Sequence, residues 1–317
     1  MRAMANLVGV DLGGTNIRAA LFTSNTPPPT TIAKHPTPAS DGVDAVIQCL
    51  IETIDEVLKE GGSPSCIGIG APGPLDPKRG VILYAPNLPG WHDVPLADRI
   101  GHHFQAPVVV GNDANLAALG EWRHGAGDGV SDMIYLTIST GIGGGVIIDE
   151  KLLLGANGLG AELGHVTIDP DGPICSCGQP GHIEALASGT ALARRAVTQL
   201  ESGTASSLRA IWETSPLSAR HVGQAAEEGD DLASRLVEET GKMIGRYLAD
   251  LSHIFNPKTI VLGGGVTQIG ELLFQPIRTA VKKYALSSEY YQELEIVPAS
   301  LGDDAGLIGA MVLASMQ

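Results

Sequence analysis

Apolar residues form a short run at 7–10, stop at Gly13-Gly14 and resume from Ile17 to Phe22, a spacing that predicts two strands joined by a tight glycine turn. The period then changes. Val43, Val46, Ile47, Leu50, Ile51, Ile54, Val57 and Leu58 recur at intervals of three and four, which predicts a single amphipathic helix over 43–58, stopped by Gly61-Gly62. Residues 26–38, rich in Pro and Thr, predict an irregular surface excursion. Apolar runs at 66–70 and 107–110 predict buried strands. Each ends in a polar, glycine-containing turn, Ala71-Pro-Gly-Pro74 and Gly111-Asn-Asp-Ala-Asn115.

From Met133 the opening pattern returns, with a strand over 133–138, a turn Thr140-Gly-Ile-Gly-Gly-Gly145 and a strand over 146–148. The two glycine hairpins lie much farther apart than a solenoid period of about 20–50 residues, so the pattern predicts a duplicated domain. Long helices are predicted over 183–200 and 232–255, the second burying Leu232, Leu236, Val237, Thr240, Ile244, Tyr247, Leu248 and Leu251. A buried strand over 259–262 runs into Gly263-Gly-Gly265. Strands alternating with helices predict an α/β architecture with mostly parallel sheets, and antiparallel pairs at the glycine hairpins.

At 317 residues the chain is long enough for two domains. Its 35 acidic against 20 basic residues give a net charge of −15, which excludes nucleic acid and anionic membrane as default partners. The hydrophobic share of 44% against 17% charged residues excludes disorder. The longest uncharged stretch, 133–148, has 16 residues and four glycines, too short and too broken to span a bilayer. Asp11 arrives before any apolar signal region forms, so a cytoplasmic location with reduced cysteines is expected.

The 41 glycines imply that backbone approaches something closely. In Asp11-Leu-Gly-Gly-Thr-Asn16, Gly13 and Gly14 let backbone N–H groups reach an anion and Thr15 adds a hydroxyl donor, which suits a phosphate. Asp11 would repel that phosphate without a divalent cation, so Mg²⁺ is implied beside it. A plain hairpin turn, with Asp11 capping backbone and the glycines at positive φ, is the alternative. His165, Cys175, Cys177 and His182 offer two thiolates and two imidazoles, a set suited to tetrahedral Zn²⁺. Metal-free loop residues are the alternative there.

Together, Asp11-Leu-Gly-Gly-Thr-Asn16, Gly111-Asn-Asp-Ala-Asn115, Ser139-Thr-Gly-Ile-Gly-Gly-Gly145, Glu162-Leu-Gly-His165 and Cys175-Ser-Cys-Gly-Gln-Pro-Gly181 resemble the ROK family, and within it the ATP-dependent glucokinase branch. The match runs from about Leu7 to the C-terminus. It implies the actin-like, ribonuclease H-like sugar-kinase fold: a small α/β domain of 1–113 plus 303–317, and a large one of 114–302 carrying the zinc-type loop, flanking a cleft. It further implies ATP held by Asp11, Gly13, Gly14, Thr15, Asn16, Thr140, Gly141 and Gly143, with Gly263, Gly264 and Gly265 beside the adenosine. Asp113 takes the role of general base toward the sugar 6-hydroxyl by the same resemblance; capping of the helix that follows is its alternative. Gly73, Asn87, Asn112, Asp113, Glu162, His165 and Glu184 are assigned to the sugar, although hydrogen bonds within loops or helix caps would explain each one singly. In the family the fourth zinc ligand is usually a cysteine, so His182 departs from the pattern. Zinc on one nitrogen of His165 would orient the other toward a sugar hydroxyl.

The implied reaction is phosphorylation of glucose by ATP, in a homodimer or homotetramer. Mannose or an N-acetylhexosamine as substrate, and polyphosphate as donor, suit the same motifs. From other classes, a sugar-responsive regulator would need a DNA-binding domain, disfavoured by the charge and by the ten residues ahead of Asp11, and an actin-like ATPase would not need the sugar constellation.

Overall fold

The computed structural model describes residues 6–59, 62–85 and 87–317, so Gly61 of the expected helix stop lies outside the described residues. Chain order begins β1 (Leu7–Leu12), β2 (Asn16–Phe22), β3 (Thr31–Pro36), α1 (Val43–Leu58), β4 (Cys66–Ala71), β5 (Leu75–Asp76), β6 (Val81–Tyr84), β7 (His92–Val94), α2 (Leu96–Phe104), β8 (Val108–Asn112) and α3 (Asp113–His124). It continues with β9 (Met133–Ile138), β10 (Ile142–Ile148), β11 (Lys151–Leu152), α4 (Ile183–Ala187), α5 (Gly189–Glu201), α6 (Leu208–Trp212), α7 (Ala219–Glu227), α8 (Asp231–Phe255), β12 (Thr259–Gly263), α9 (Glu271–Tyr284), β13 (Glu295–Pro298) and α10 (Ala305–Ser315).

Two five-stranded sheets have the orders β3-β2-β1-β4-β8 and β11-β10-β9-β12-β13, and β5-β6-β7 form a small third one. Counted within its own sheet, each follows the order third, second, first, fourth, fifth, which agrees with the duplication read from the two glycine hairpins. Strands β1 and β2 pair antiparallel with Asp11 opposite Arg18, whereas β4 runs parallel to β1 and β8 parallel to β4. Parallel pairing needs a crossover, and α1 and α2 supply it. In the second sheet β12 is parallel to both β9 and β13.

Three local expectations are corrected. Within the supposed excursion of 26–38, residues 31–36 form β3, antiparallel to β2; of its side chains only Ala33 is buried, so no apolar alternation announced it. The turn at 140–145 is shorter than expected, since β10 starts at Ile142 and Gly143, Gly144 and Gly145 are strand residues. Gly144 and Gly145 are closely packed: a Cβ on Gly144 would lie 2.7 Å from Tyr135 O, and one on Gly145 2.6 Å from Ala118 Cβ. The helix expected over 183–200 is two helices, because Ser188 is extended (φ −70°, ψ 169°) and its Oγ accepts the Ala191 N–H to cap α5.

Residues cluster into two compact units, Met1–Val130 with Gly145–Ala161 and Ser300–Gln317, and Ser131–Gly144 with Glu162–Ala299. The first unit therefore extends past the expected boundary at Asp113 and takes in all of α3. The reason is α10, a helix buried on every side that packs against α3, β1 and β4. At Gly309 an added Cβ would lie 1.7 Å from the Leu116 carbonyl oxygen, and at Gly68 1.9 Å from that of Ala310, so glycine is required for backbone to approach backbone. On α1 the residues Val46, Ile47, Leu50, Ile54 and Val57 are buried, each side chain contributing about 1.5–3 kcal/mol on transfer from water. No helix among the described residues is long and apolar enough to cross a membrane.

Candidate active site

In the first unit, Asp11 lies near the end of β1, and its carboxyl carbon is 3.5 Å from where a Cβ on Gly306, in the first turn of α10, would stand. Burial pushes the Asp11 carboxyl above the usual carboxylate range, and the Arg18 guanidinium opposes that rise. Arg18 donates to the Asp303 carbonyl and to Asp304 Oδ1, both at 2.5 Å, which holds the start of α10 to β2. The turn that follows is tied by Gly13 N–H to Asn16 O (3.0 Å), Thr37 Oγ1 to Gly13 O (2.7 Å) and Thr37 N–H to Thr15 O (2.9 Å). Neither Gly13 nor Gly14 takes a positive φ, contrary to the plain-turn alternative. Gly14 is small for a different reason, since its Cβ would meet Asn87 Cβ at 3.0 Å and Asn87 O at 3.2 Å. The Asp11–Asn16 turn and exposed Asn87 are therefore neighbours. Gly73 has φ +84° and would place a Cβ 2.1 Å from Tyr84 O, a conformation and a contact that only glycine allows.

The β8–α3 junction settles which residue caps the helix. Asn112 Oδ1 accepts the N–H groups of Ala114 (3.0 Å) and Asn115 (3.1 Å), so Asn112 is the cap. Asp113 is the first helical residue, exposed, with Oδ1 accepting the Ala114 N–H at 2.8 Å. Its carboxylate thus stands in the first turn of a twelve-residue helix, at the positive end of the helix dipole.

In the second unit, Glu162 is exposed and begins a short 3-10 turn, Leu163–His165. Two features hold this turn. The buried Tyr247 hydroxyl of α8 donates to Leu163 O at 2.7 Å, and a Cβ on Gly164 would lie 1.8 Å from Ile142 O. Burial, with Asp250 nearby, keeps the Tyr247 phenol protonated far above its ordinary range. Tyr247→Phe is expected to cost about 1 kcal/mol in chemical denaturation, because the Leu163 carbonyl loses its donor.

His165, Cys175, Cys177 and His182 come together, with their ligand atoms all within 4.8 Å of one another. His165 Nδ1 lies 3.6 Å from Cys175 Sγ, and Cys177 Sγ 3.3 Å from His182 Nδ1. The loop between them is tied by Cys175 N–H to Gln179 O and Gly178 N–H to Cys175 O. Glu184, beside the cluster, is committed on both oxygens: Oε2 accepts the Ile142 N–H (3.0 Å), while Oε1 accepts from Ser176 Oγ (2.7 Å) and Cys175 Sγ (3.3 Å). Burial alone would raise its pKa, but these hydrogen bonds and His165 outweigh it and lower it. The same carboxylate explains Gly141, whose Cβ would be 2.4 Å from Glu184 Oε2.

Thr140 lies at the wall of a cavity of about 570 Å³ that it shares with Ser139, Thr190, Arg220, Gly265 and Gln268. Ser139 O accepts the Gly189 N–H and Thr140 O the Thr190 hydroxyl, both at 2.8 Å, so the start of α5 is docked on this turn. Of the Gly263-Gly-Gly265 run only Gly265 lines the cavity. Gly263 packs on the Tyr135 ring, and Gly264, at φ +86°, lies against Ile138 O. Gly143 is a half-buried strand residue in β10. Arg220 and Gln268 were not singled out from the sequence. The available signal was Ser218 three residues ahead of His221, which form a capping box at the start of α7.

The ROK family model matches residues 7–317. Among curated relatives, a glucokinase of Thermotoga maritima is 40% identical over 306 residues, covering 96% of this chain and 95% of that one. Among solved structures, a ROK hexokinase from Thermus thermophilus superposes with a TM-score of 0.85 at 38% identity over 98% of both chains. A ROK family glucokinase from Streptomyces griseus, solved in complex with glucose and AMPPNP, gives 0.83 at 37% identity over 99% of this chain and 100% of that one. With that coverage and these two repeated sheets, the chain belongs to the ROK family and has its actin-like sugar-kinase fold.

Proposed function

We propose that this chain is an ATP-dependent glucokinase that transfers the γ-phosphate of ATP to the 6-hydroxyl of glucose, with Asp113 as general base. The observation that carries the reading is the β8–α3 junction, where Asn112 does the capping and the Asp113 carboxylate stands exposed at the helix start. A sugar hydroxyl is a poor nucleophile near neutral pH. Asp113 accepts its proton as the oxygen bonds to phosphorus and ADP leaves. Glucokinases at 40% and 37% identity, one of them holding glucose and AMPPNP, support the choice of substrate and donor.

The residues assigned to the sugar are Gly73, Asn87, Asn112, Glu162, His165 and Glu184. The nucleotide is assigned to the Asp11–Asn16 turn and to Thr140, Gly141, Gly143, Gly263, Gly264 and Gly265. Of these, Thr140 and Gly265 share the 570 Å³ cavity, whose size suits a nucleoside. Mg²⁺ would neutralise phosphate charge, and Asp11 is the carboxylate assigned to hold it.

Two thiols and two imidazoles within 4.8 Å of one another fit a tetrahedral zinc ion, with Cys175, Cys177, His165 and His182 as ligands. His165 faces Cys175 through Nδ1, so ligation there keeps its Nε2 for a sugar hydroxyl. Zinc in this role organises the loop. Cys177→Ser is expected to lower bound zinc from about one ion per chain to near none and to lower the melting temperature. Elemental analysis together with a thermal melt reads both effects.

The activity is tested by ADP release with ATP and Mg²⁺ across glucose, mannose, N-acetylglucosamine, N-acetylmannosamine and no sugar, and with polyphosphate as donor by formation of the sugar phosphate. Strong dependence on glucose is expected. ADP release that no sugar stimulates would overturn the kinase reading.

A further inference from the structure

Arg220 lies at the start of α7 and lines two adjoining cavities, the one of about 570 Å³ with Thr140 and a second of about 420 Å³. Gly265 and Gln268 belong to both, so these three residues form the shared wall. Arg220 is exposed and, among the described residues, has neither a hydrogen-bond partner nor an ion-pair partner. That is notable chemistry in a chain of net charge −15, because Glu227 and Glu228 line the second cavity and Arg220 pairs with neither.

The lining of the larger cavity sharpens the point. Gly189 and Gly265 expose bare backbone, and Leu217, Ala219 and Val266 supply apolar surface, which suits a flat ring inserted edge-on. No aromatic side chain lines it among the described residues. A guanidinium is planar, delocalised and weakly hydrated, so it can stack on the π-face of a purine held there. The geometry points to Arg220 as the residue that stacks on the adenine of the donor nucleotide, so that it selects a nucleotide over a donor without a base. This inference rests on the reading of the cavity as the nucleotide site.

The test is calorimetric binding of adenosine, ADP and pyrophosphate to the full chain and to its Arg220→Ala variant. Loss of one cation–π stack is expected to weaken adenosine and ADP by a similar factor, about 5- to 30-fold, and to leave pyrophosphate unchanged. Weakening of ADP and pyrophosphate with adenosine unaffected would make Arg220 a phosphate ligand and overturn the inference. So would identical affinities in the two proteins. Failure of the unaltered chain to bind either adenosine or ADP would overturn the nucleotide reading itself, and the two failures are thereby told apart.

Discussion

Replacing Asp113 by Asn is expected to lower glucose-dependent turnover by about 10²–10⁴-fold while glucose affinity stays near its original value. The expectation comes from where the side chain sits. Asn is isosteric with Asp and its Oδ1 can still accept the Ala114 N–H, so the local turn keeps that bond. The cap is unaffected because Asn112 provides it. The negative charge is removed and proton acceptance with it, since an amide oxygen is far too weak a base to take a hydroxyl proton. Turnover by ADP release and glucose binding by calorimetry give the two numbers. A variant within tenfold of the original turnover would take the base role away from Asp113, whatever the sugar specificity proves to be.

The second large effect is structural. Gly309→Val is expected to destabilise the chain by about 3 kcal/mol or more, with a fall in melting temperature of about 5–10 °C and a parallel loss of activity. A side chain at Gly309 would begin 1.7 Å from Leu116 O and 2.4 Å from Leu116 C, both backbone atoms of α3 that no rotamer change can move. On the facing helix Gly120 is constrained too, since a Cβ there would lie 2.5 Å from Ala305 O. Because α3 begins with Asp113, forcing α3 away from α10 shifts the helix that presents the proposed base. A thermal melt unchanged by the substitution would show that the two helices can separate without cost, against the packing described.

Fold class and much of the candidate site could be read from the residues, for identifiable reasons. Helix α1 has the limits that periodicity implied, because one apolar stripe on a polar helix needs no knowledge of its partner. Both glycine hairpins were legible for a similar reason, and their repetition anticipated two sheets of the same strand order. The cysteine and histidine cluster was legible because His165, Cys175, Cys177 and His182 are close in sequence and of matching chemistry, and the fold brings all four together. Strand β3 was not legible, since a strand with one buried side chain is held by the ladder of β2 rather than by its own pattern. Nor was the break at Ser188, where a good capping residue interrupts an otherwise continuous helical stretch.

Residue chemistry and local period are properties of the chain, and they determined by themselves the α/β class, the duplication, the first glycine turn and the inventory of carboxylates, amides, thiols and imidazoles. What each of those groups is occupied with depends on neighbours remote in sequence, and only the tertiary structure decided it. Gly14 is small because Asn87 lies against it, Gly141 because Glu184 lies beneath it, and Gly309 because α3 crosses there. Glu184 is held by Ile142, Ser176 and Cys175, and the Arg220 side chain has no partner among the described residues although it lines a cavity beside two glutamates. Contacts of this kind arise when elements pack, and packing sums over pairs that no local window of sequence contains.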